Sequence, residues 1–163
     1  MGGKRYCGTN LLARPDIFTG ALLLIVLLAA CASTPEASPE RDAAAKDFHT
    51  HPATAALYVY RPDTALDEES VLYMDGRIIG STLPGTYFRI DARPGKHRLH
   101  GIGADSGSLE LEVRPGELYF VSLRVSGGNS RFARVDPAKG RQAVGSCCTL
   151  LENWAPGQRP LLR

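Results

Sequence analysis

Five glycine-centred turn signals cut residues 55–135 into short apolar runs: Asp75-Gly76, Leu83-Pro84-Gly85, Pro94-Gly95, Pro115-Gly116 and Gly127-Gly128-Asn129. Runs this short, bounded this way, read as strands. Asp-Gly between two apolar runs is a hairpin signal, because both turn residues must take positive φ. In Pro-Gly, proline presets the turn and glycine takes the left-handed position. Strands are predicted at 56–61, 71–74, 77–80, 86–90, 96–102, 108–113, 118–125, 131–135 and 147–151. Leu109, Leu111 and Val113 alternate with Glu110 and Glu112, so the former point inward and the latter to water. Leu57 and Val59 share one face of the first strand and Tyr58 and Tyr60 the other, so both faces are expected to be part-covered. The most apolar run, 118–125, belongs centrally. Asp136 before Pro137 has the form of an N-cap and first helical residue. A helix of about two turns is expected to reach Val144, weakened by Gly140 and stopped by Gly145. The fold class is all-β: a small antiparallel β-sandwich of seven to nine short strands with one short C-terminal helix.

The N-terminal stretch carries an address. Lys4, Arg5 and Arg14 precede an uncharged run, residues 17–30, shorter than the ~20 residues that span a bilayer as a helix. It ends Leu28-Ala29-Ala30-Cys31, which resembles a bacterial lipobox. That resemblance implies diacylglycerol on the Cys31 thiol, cleavage before Cys31, and acylation of the new N-terminus. Several acyl chains on one residue anchor stably where one does not. Ala32 after the cysteine favours the outer membrane. The expected organisation is a signal peptide (1–30), a lipidated Cys31 with a flexible tether (31–54), the β-sandwich (55–152) and a loose tail (153–163).

Residues 1–30 hold three of the 19 Lys and Arg and one of the 17 Asp and Glu, so the remainder has 16 of each and is formally neutral. No basic patch points to nucleic acid. Of the four cysteines, Cys7 leaves with the signal and Cys31 takes lipid. Two readings stand open for the adjacent Cys147 and Cys148: a disulfide, vicinal or to another chain, and free thiols, one buried and one exposed by strand alternation.

Residues 32–54 are rich in Ala, Ser, Pro and charge, with Phe48 the one aromatic. On composition this stretch cannot order itself, and it reads as a spacer reaching on the order of 25 Å. Asp42–Phe48 has room for a helical turn or two. His49 and His51 lack a third ligand nearby and read as solvated side chains. The acidic loop Asp67-Glu68-Glu69-Ser70 reads likewise as solvated.

Catalytic chemistry finds no coherent constellation, and no cofactor or metal is implied. His97 and His100, three apart on a strand, point to opposite faces. His97, after a Pro-Gly turn, reads as a hydrogen-bond partner of the turn backbone. A Gly-x-Ser-x-Gly elbow is absent. The tyrosines at 58, 60, 73, 87 and 119 with Trp154 offer an aromatic platform for a glycan, peptide or protein, against core packing as the plainer reading. Arginines 89, 93, 98, 124, 131 and 134 offer contacts to an anionic envelope polymer, against a solvated strand face. Tyr58, Tyr60, Arg89 and Arg98 are the candidate binding surface.

Val71–Met74, Asp75-Gly76, Ile79-Gly80, Thr86-Tyr87-Phe88, Pro94-Gly95-Lys96-His97, Gly116 and Tyr119-Phe120-Val121 together resemble a bacterial lipoprotein domain family of unknown function, related in pattern to PEGA-type β-sandwiches. The resemblance covers roughly 55–151 and implies a small sandwich on a lipid anchor, with no catalytic residues to carry over. The expectation is a non-enzymatic lipoprotein in the outer membrane, its domain facing the periplasm and making binding or assembly contacts. The alternatives are a peptidoglycan- or glycan-binding module and an accessory subunit of an envelope secretion or transport complex. Partners are the membrane, through Cys31, and an envelope protein or glycan.

Overall fold

Two sheets pack face to face, and two short helices cover part of the outer face of one of them. The computed structural model describes residues 34–62, 70–102 and 107–153. The expected signal peptide, Cys31, most of the acidic loop, Trp154 and the tail beyond it lie outside the described residues. In chain order the elements are α1 (Pro39–Lys46), β1 (Ala55–Arg61), β2 (Ser70–Met74), β3 (Arg77–Thr82), β4 (Thr86–Ala92), β5 (Gly95–His100), β6 (Ser108–Val113), β7 (Leu118–Ser126), β8 (Asn129–Val135), α2 (Pro137–Cys147) and β9 (Thr149–Leu150). No helix among the described residues is long and apolar enough to cross a membrane.

The five-stranded sheet has the order β8-β7-β1-β4-β9 and the four-stranded sheet the order β3-β2-β5-β6. Most pairs are antiparallel, as expected, but β1–β7 and β4–β9 are parallel. Both parallel pairs join strands far apart in sequence, where turn chemistry gives no guidance. Two tight hairpins set the local register. Asp75 (φ 52°) and Gly76 (φ 75°) link Met74 to its partner Arg77, and Gly127 (φ 58°) and Gly128 (φ 74°) link Ser126 to Asn129. Positive φ at both central residues is the turn whose twist matches paired strands.

Strand alternation sorts the apolar residues into two cores. Leu57 and Val59 of β1, with Tyr119, Val121, Leu123 and Val125 of β7, meet Leu72, Met74, Ile79, Leu99, Leu111 and Val113 between the sheets. Glu110 and Glu112 of β6 are exposed, as the alternation requires. The opposite faces of β1 and β7 turn Tyr58, Tyr60 and Phe120 toward the helices, where Ala45, Val144, Cys148 and Leu150 pack on them. β7 is an interior strand, and β1 holds the middle of its sheet.

Asp136 caps α2, its carboxylate accepting from the Ala138 and Lys139 amides at 3.0 and 3.3 Å, with Pro137 at the first position. Gly140, read above as a weakness, is a packing residue. A Cβ there would lie 2.2 Å from Cγ of Phe120, so only glycine lets the helix sit this close to β7. Gly145 does not stop the helix, which runs on to Cys147.

The tether is corrected over its described part. Residues 34–54 are folded onto the sandwich. Glu36 bridges Leu151, the Ala37 amide donates to Leu150 O at 2.8 Å, and the Glu152 amide donates to Pro35 O at 2.9 Å. Thr34 Oγ1 accepts from the Ser81 amide at 2.7 Å. Ser38 caps α1 and Arg41 pairs with Glu152. Composition failed here because it weighs a segment by its own apolar content. The surface that orders this one belongs to the sheet: Phe48 packs on Tyr58 and Phe120 at centroid distances of 5.3 and 5.7 Å.

Candidate functional site

Of the four residues expected to form a binding surface, only Arg98 is exposed. Tyr58, Tyr60 and Arg89 are buried, at 0, 6 and 3% exposure. They lie on the helix-side face of the sheet, which reads as open only if residues 31–54 are a free tether. The Tyr58 hydroxyl donates to Ala45 O at 2.6 Å. Arg89 donates to His49 O at 2.8 Å, pairs with Asp91 at 3.5 Å, and its guanidinium lies 5.9 Å from the Tyr58 ring centre. Tyr87 donates to Asp42 Oδ1 at 3.0 Å, and the same oxygen accepts from the Leu150 amide at 2.9 Å. Burial pushes the Tyr58 phenol up to about 12, the largest influence, with Arg89 opposing it. Burial also raises the Tyr87 phenol, reinforced by the Asp42 charge beside it. These residues form a clamp on the N-terminal segment.

Asp42 is the member of this clamp that sequence reasoning missed. Its visible signal was the Ser38-Pro39 helix start followed by Asp42 and Lys46 at i,i+4, which do pair at 2.7 Å.

On the four-stranded sheet a cleft of about 350 Å³ is lined by Asp75, Lys96, His97, Arg98, Glu110, Leu111 and Glu112. Asp75 Oδ2 lies 2.6 Å from His97 Nδ1, and His97 Nε2 lies 2.7 Å from Arg93 O. The other Asp75 oxygen accepts from the Arg98 amide at 2.9 Å. Thus His97 does bind turn backbone, and Asp75 locks the hairpin to β5. Both ring nitrogens are engaged, so neither is presented to a substrate proton. The remaining charges face opposite charges in register, Lys96 against Glu112 and Arg98 against Glu110. Charges of opposite sign therefore alternate across the strand pair in this cleft. His100 lies on the other strand face, stacked on Tyr73 at 4.9 Å and 5°.

His51 Nδ1 accepts from the Ala53 amide at 3.1 Å, closing a local turn. No group of three His, Cys, Asp or Glu positioned to hold a metal occurs among the described residues. Cys147 and Cys148 are joined as a vicinal disulfide at the junction of α2 and β9, with Cys148 buried in the helix-side core. Cys31 lies outside the described residues.

The architecture defines a two-sheet β-sandwich with a partial helical cover. No family model matches the chain. It is 30% identical over 148 residues to an uncharacterized protein of Haemophilus influenzae, an alignment spanning 85% of this chain and 84% of that protein. The chain belongs to the same family as that protein.

Proposed function

We propose that the protein is a membrane-anchored, non-enzymatic lipoprotein of the cell envelope, resident in the outer membrane, whose sandwich faces the periplasm and makes binding or assembly contacts. The observation that carries this is Leu28-Ala29-Ala30-Cys31 at the end of an uncharged run. Further support is the engagement of both His97 ring nitrogens, by Asp75 and by Arg93 O, in holding the turn. Thr34, three positions after Cys31 in the sequence, accepts from the Ser81 amide, so no more than about 10 Å of extended chain would separate a lipid on Cys31 from that contact.

The test is the mass of the mature N-terminus, with membrane fractionation of the natural chain beside Cys31→Ser. A Cys31 N-terminus carrying acyl chains in the outer-membrane fraction, lost on substitution, is expected. An unmodified, soluble product would overturn the anchor.

A glycan-binding role has one observation in its favour, the Tyr73–His100 stack on the outer face of the four-stranded sheet. Co-sedimentation with cell-wall sacculi that Tyr73→Ala abolishes would establish it; no retention of the natural chain would dismiss it.

A further inference from the structure

The five-stranded sheet changes character along β7. On its inter-sheet face the strand stays apolar to the end, through Leu123 and Val125. On its helix-side face Leu118 and Phe120 pack beneath the helices, and then Ser122, Arg124 and Ser126 follow. β8 answers with Asn129, Arg131 and Ala133, in register with Ser126, Arg124 and Ser122. Arg124 and Arg131 are therefore directly opposed in an antiparallel pair, both exposed. Like charges placed this way, with Cβ atoms about 5 Å apart, destabilise a sheet.

Nothing described near them cancels that cost. Among the described residues neither arginine side chain has a hydrogen bond or an ion pair, whereas Arg98 in the other sheet faces Glu110. The pair opens on a cleft of about 450 Å³ lined by Gly107, Arg124, Ser126, Asn129, Ser130 and Arg131, with no carboxylate among the described residues that line it. Asn129 Nδ2 donates to Gly127 O at 3.2 Å, which leaves its second N–H for another acceptor. The Ser126 hydroxyl is exposed beside it.

We infer that this cleft binds an oxyanion of the phosphate class, gripped by the opposed guanidinium groups of Arg124 and Arg131. Each guanidinium is a planar fork of donors that matches two oxygens of such an anion. A tetrahedral phosphate has enough oxygens to engage both forks, and its charge removes the repulsion between them. Asn129 and Ser126 supply neutral donors at the rim. The anion's source is either a soluble phosphate compound or a lipid headgroup, and the chemistry is shared. The inference is independent of the lipid on Cys31.

The test compares the purified full chain with Arg131→Glu and Arg131→Gln by thermal unfolding, in inorganic phosphate against chloride at equal ionic strength. The natural chain is expected to gain about 4 °C between 1 and 100 mM phosphate. Arg131→Glu is expected to start from a higher Tm than the natural chain, because it sets opposite charges across the pair, and to show no specific phosphate response. Arg131→Gln, which removes one fork without adding charge, should also lose the response. A natural chain that responds no more than either variant, or an Arg131→Glu chain less stable than the natural one in chloride, would overturn the inference. Flotation with phosphatidylglycerol vesicles, in the Cys31→Ser background, separates the sources. Flotation that Arg131→Glu abolishes supports the headgroup, and a phosphate response without flotation supports a soluble phosphate compound.

Discussion

The space between the two sheets and the space beneath the helices are filled on different principles. Between the sheets, Leu57, Val59, Leu72, Met74, Ile79, Ile90 and Leu99 meet as aliphatic side chains with no polar atom to satisfy. Polar groups enter there already paired: Arg61 donates to Thr82 O at 2.8 Å, the Ser70 and Ser130 hydroxyls lie 3.2 Å apart, and the Tyr119 hydroxyl donates to Glu117 at 2.5 Å and accepts from the Arg114 amide at 3.0 Å. Beneath the helices the filling is aromatic, with Tyr58 stacked on Phe120 at 5.0 Å and facing Tyr87 at 5.9 Å. Here each buried phenol of the stack finds its partner in the N-terminal segment. The first core holds strands whose apolar alternation is their own. The second holds a segment of low hydrophobicity by lending it apolar surface and hydrogen-bonding groups.

The sharpest way to break the helix-side core without touching the other is Gly140→Ala. Ala improves helix propensity by about 1 kcal/mol, but the overlap with Phe120 forces α2 off the sheet, and overpacking of this kind costs about 3 kcal/mol. The net expectation is destabilisation, read as a lower denaturant midpoint at unchanged m. Asp42→Ala comes next. It strands the Leu150 amide and the Tyr87 hydroxyl and frees Lys46, for an expected loss of about 2 kcal/mol. Limited proteolysis should then cut within 34–54 while the sandwich stays intact.

Tyr58→Phe is the smallest change. It removes the hydrogen bond to Ala45 O and should cost about 1 kcal/mol at neutral pH. It also sharpens the comparison through pH. The phenol is held neutral in the fold, with its pKa raised to about 12. A raised pKa contributes stability that is complete below the unfolded value near 10 and is lost as pH rises from there through 12. Stability of the natural chain should therefore fall across this window, and the slope should be shallower in Tyr58→Phe, as read from denaturant midpoints at each pH.

What was legible in the sequence follows the same division. The alternation of Leu109, Leu111 and Val113 and the Asp75-Gly76 and Gly127-Gly128 hairpins are local patterns, and all appear in the fold. The tether, the open face of Tyr58, Tyr60 and Arg89, and the weakness at Gly140 were misread for one shared reason. Each depends on a partner outside its own local pattern: Leu151 for Glu36, β9 for Ala37, α1 for Tyr58, and Phe120 for Gly140. Arg124 and Arg131 were visible as two arginines among six, but their opposition appears only once β7 and β8 are in register.

Hydrogen exchange at single amides tests most directly whether residues 34–54 belong to the folded domain. The Ala37 amide, bonded to Leu150 O, and the Leu150 amide, bonded to Asp42, should exchange at rates close to those of β1 amides such as Leu57. If Ala37 exchanged like an unstructured chain while Leu57 stayed protected, residues 34–54 would be a tether after all.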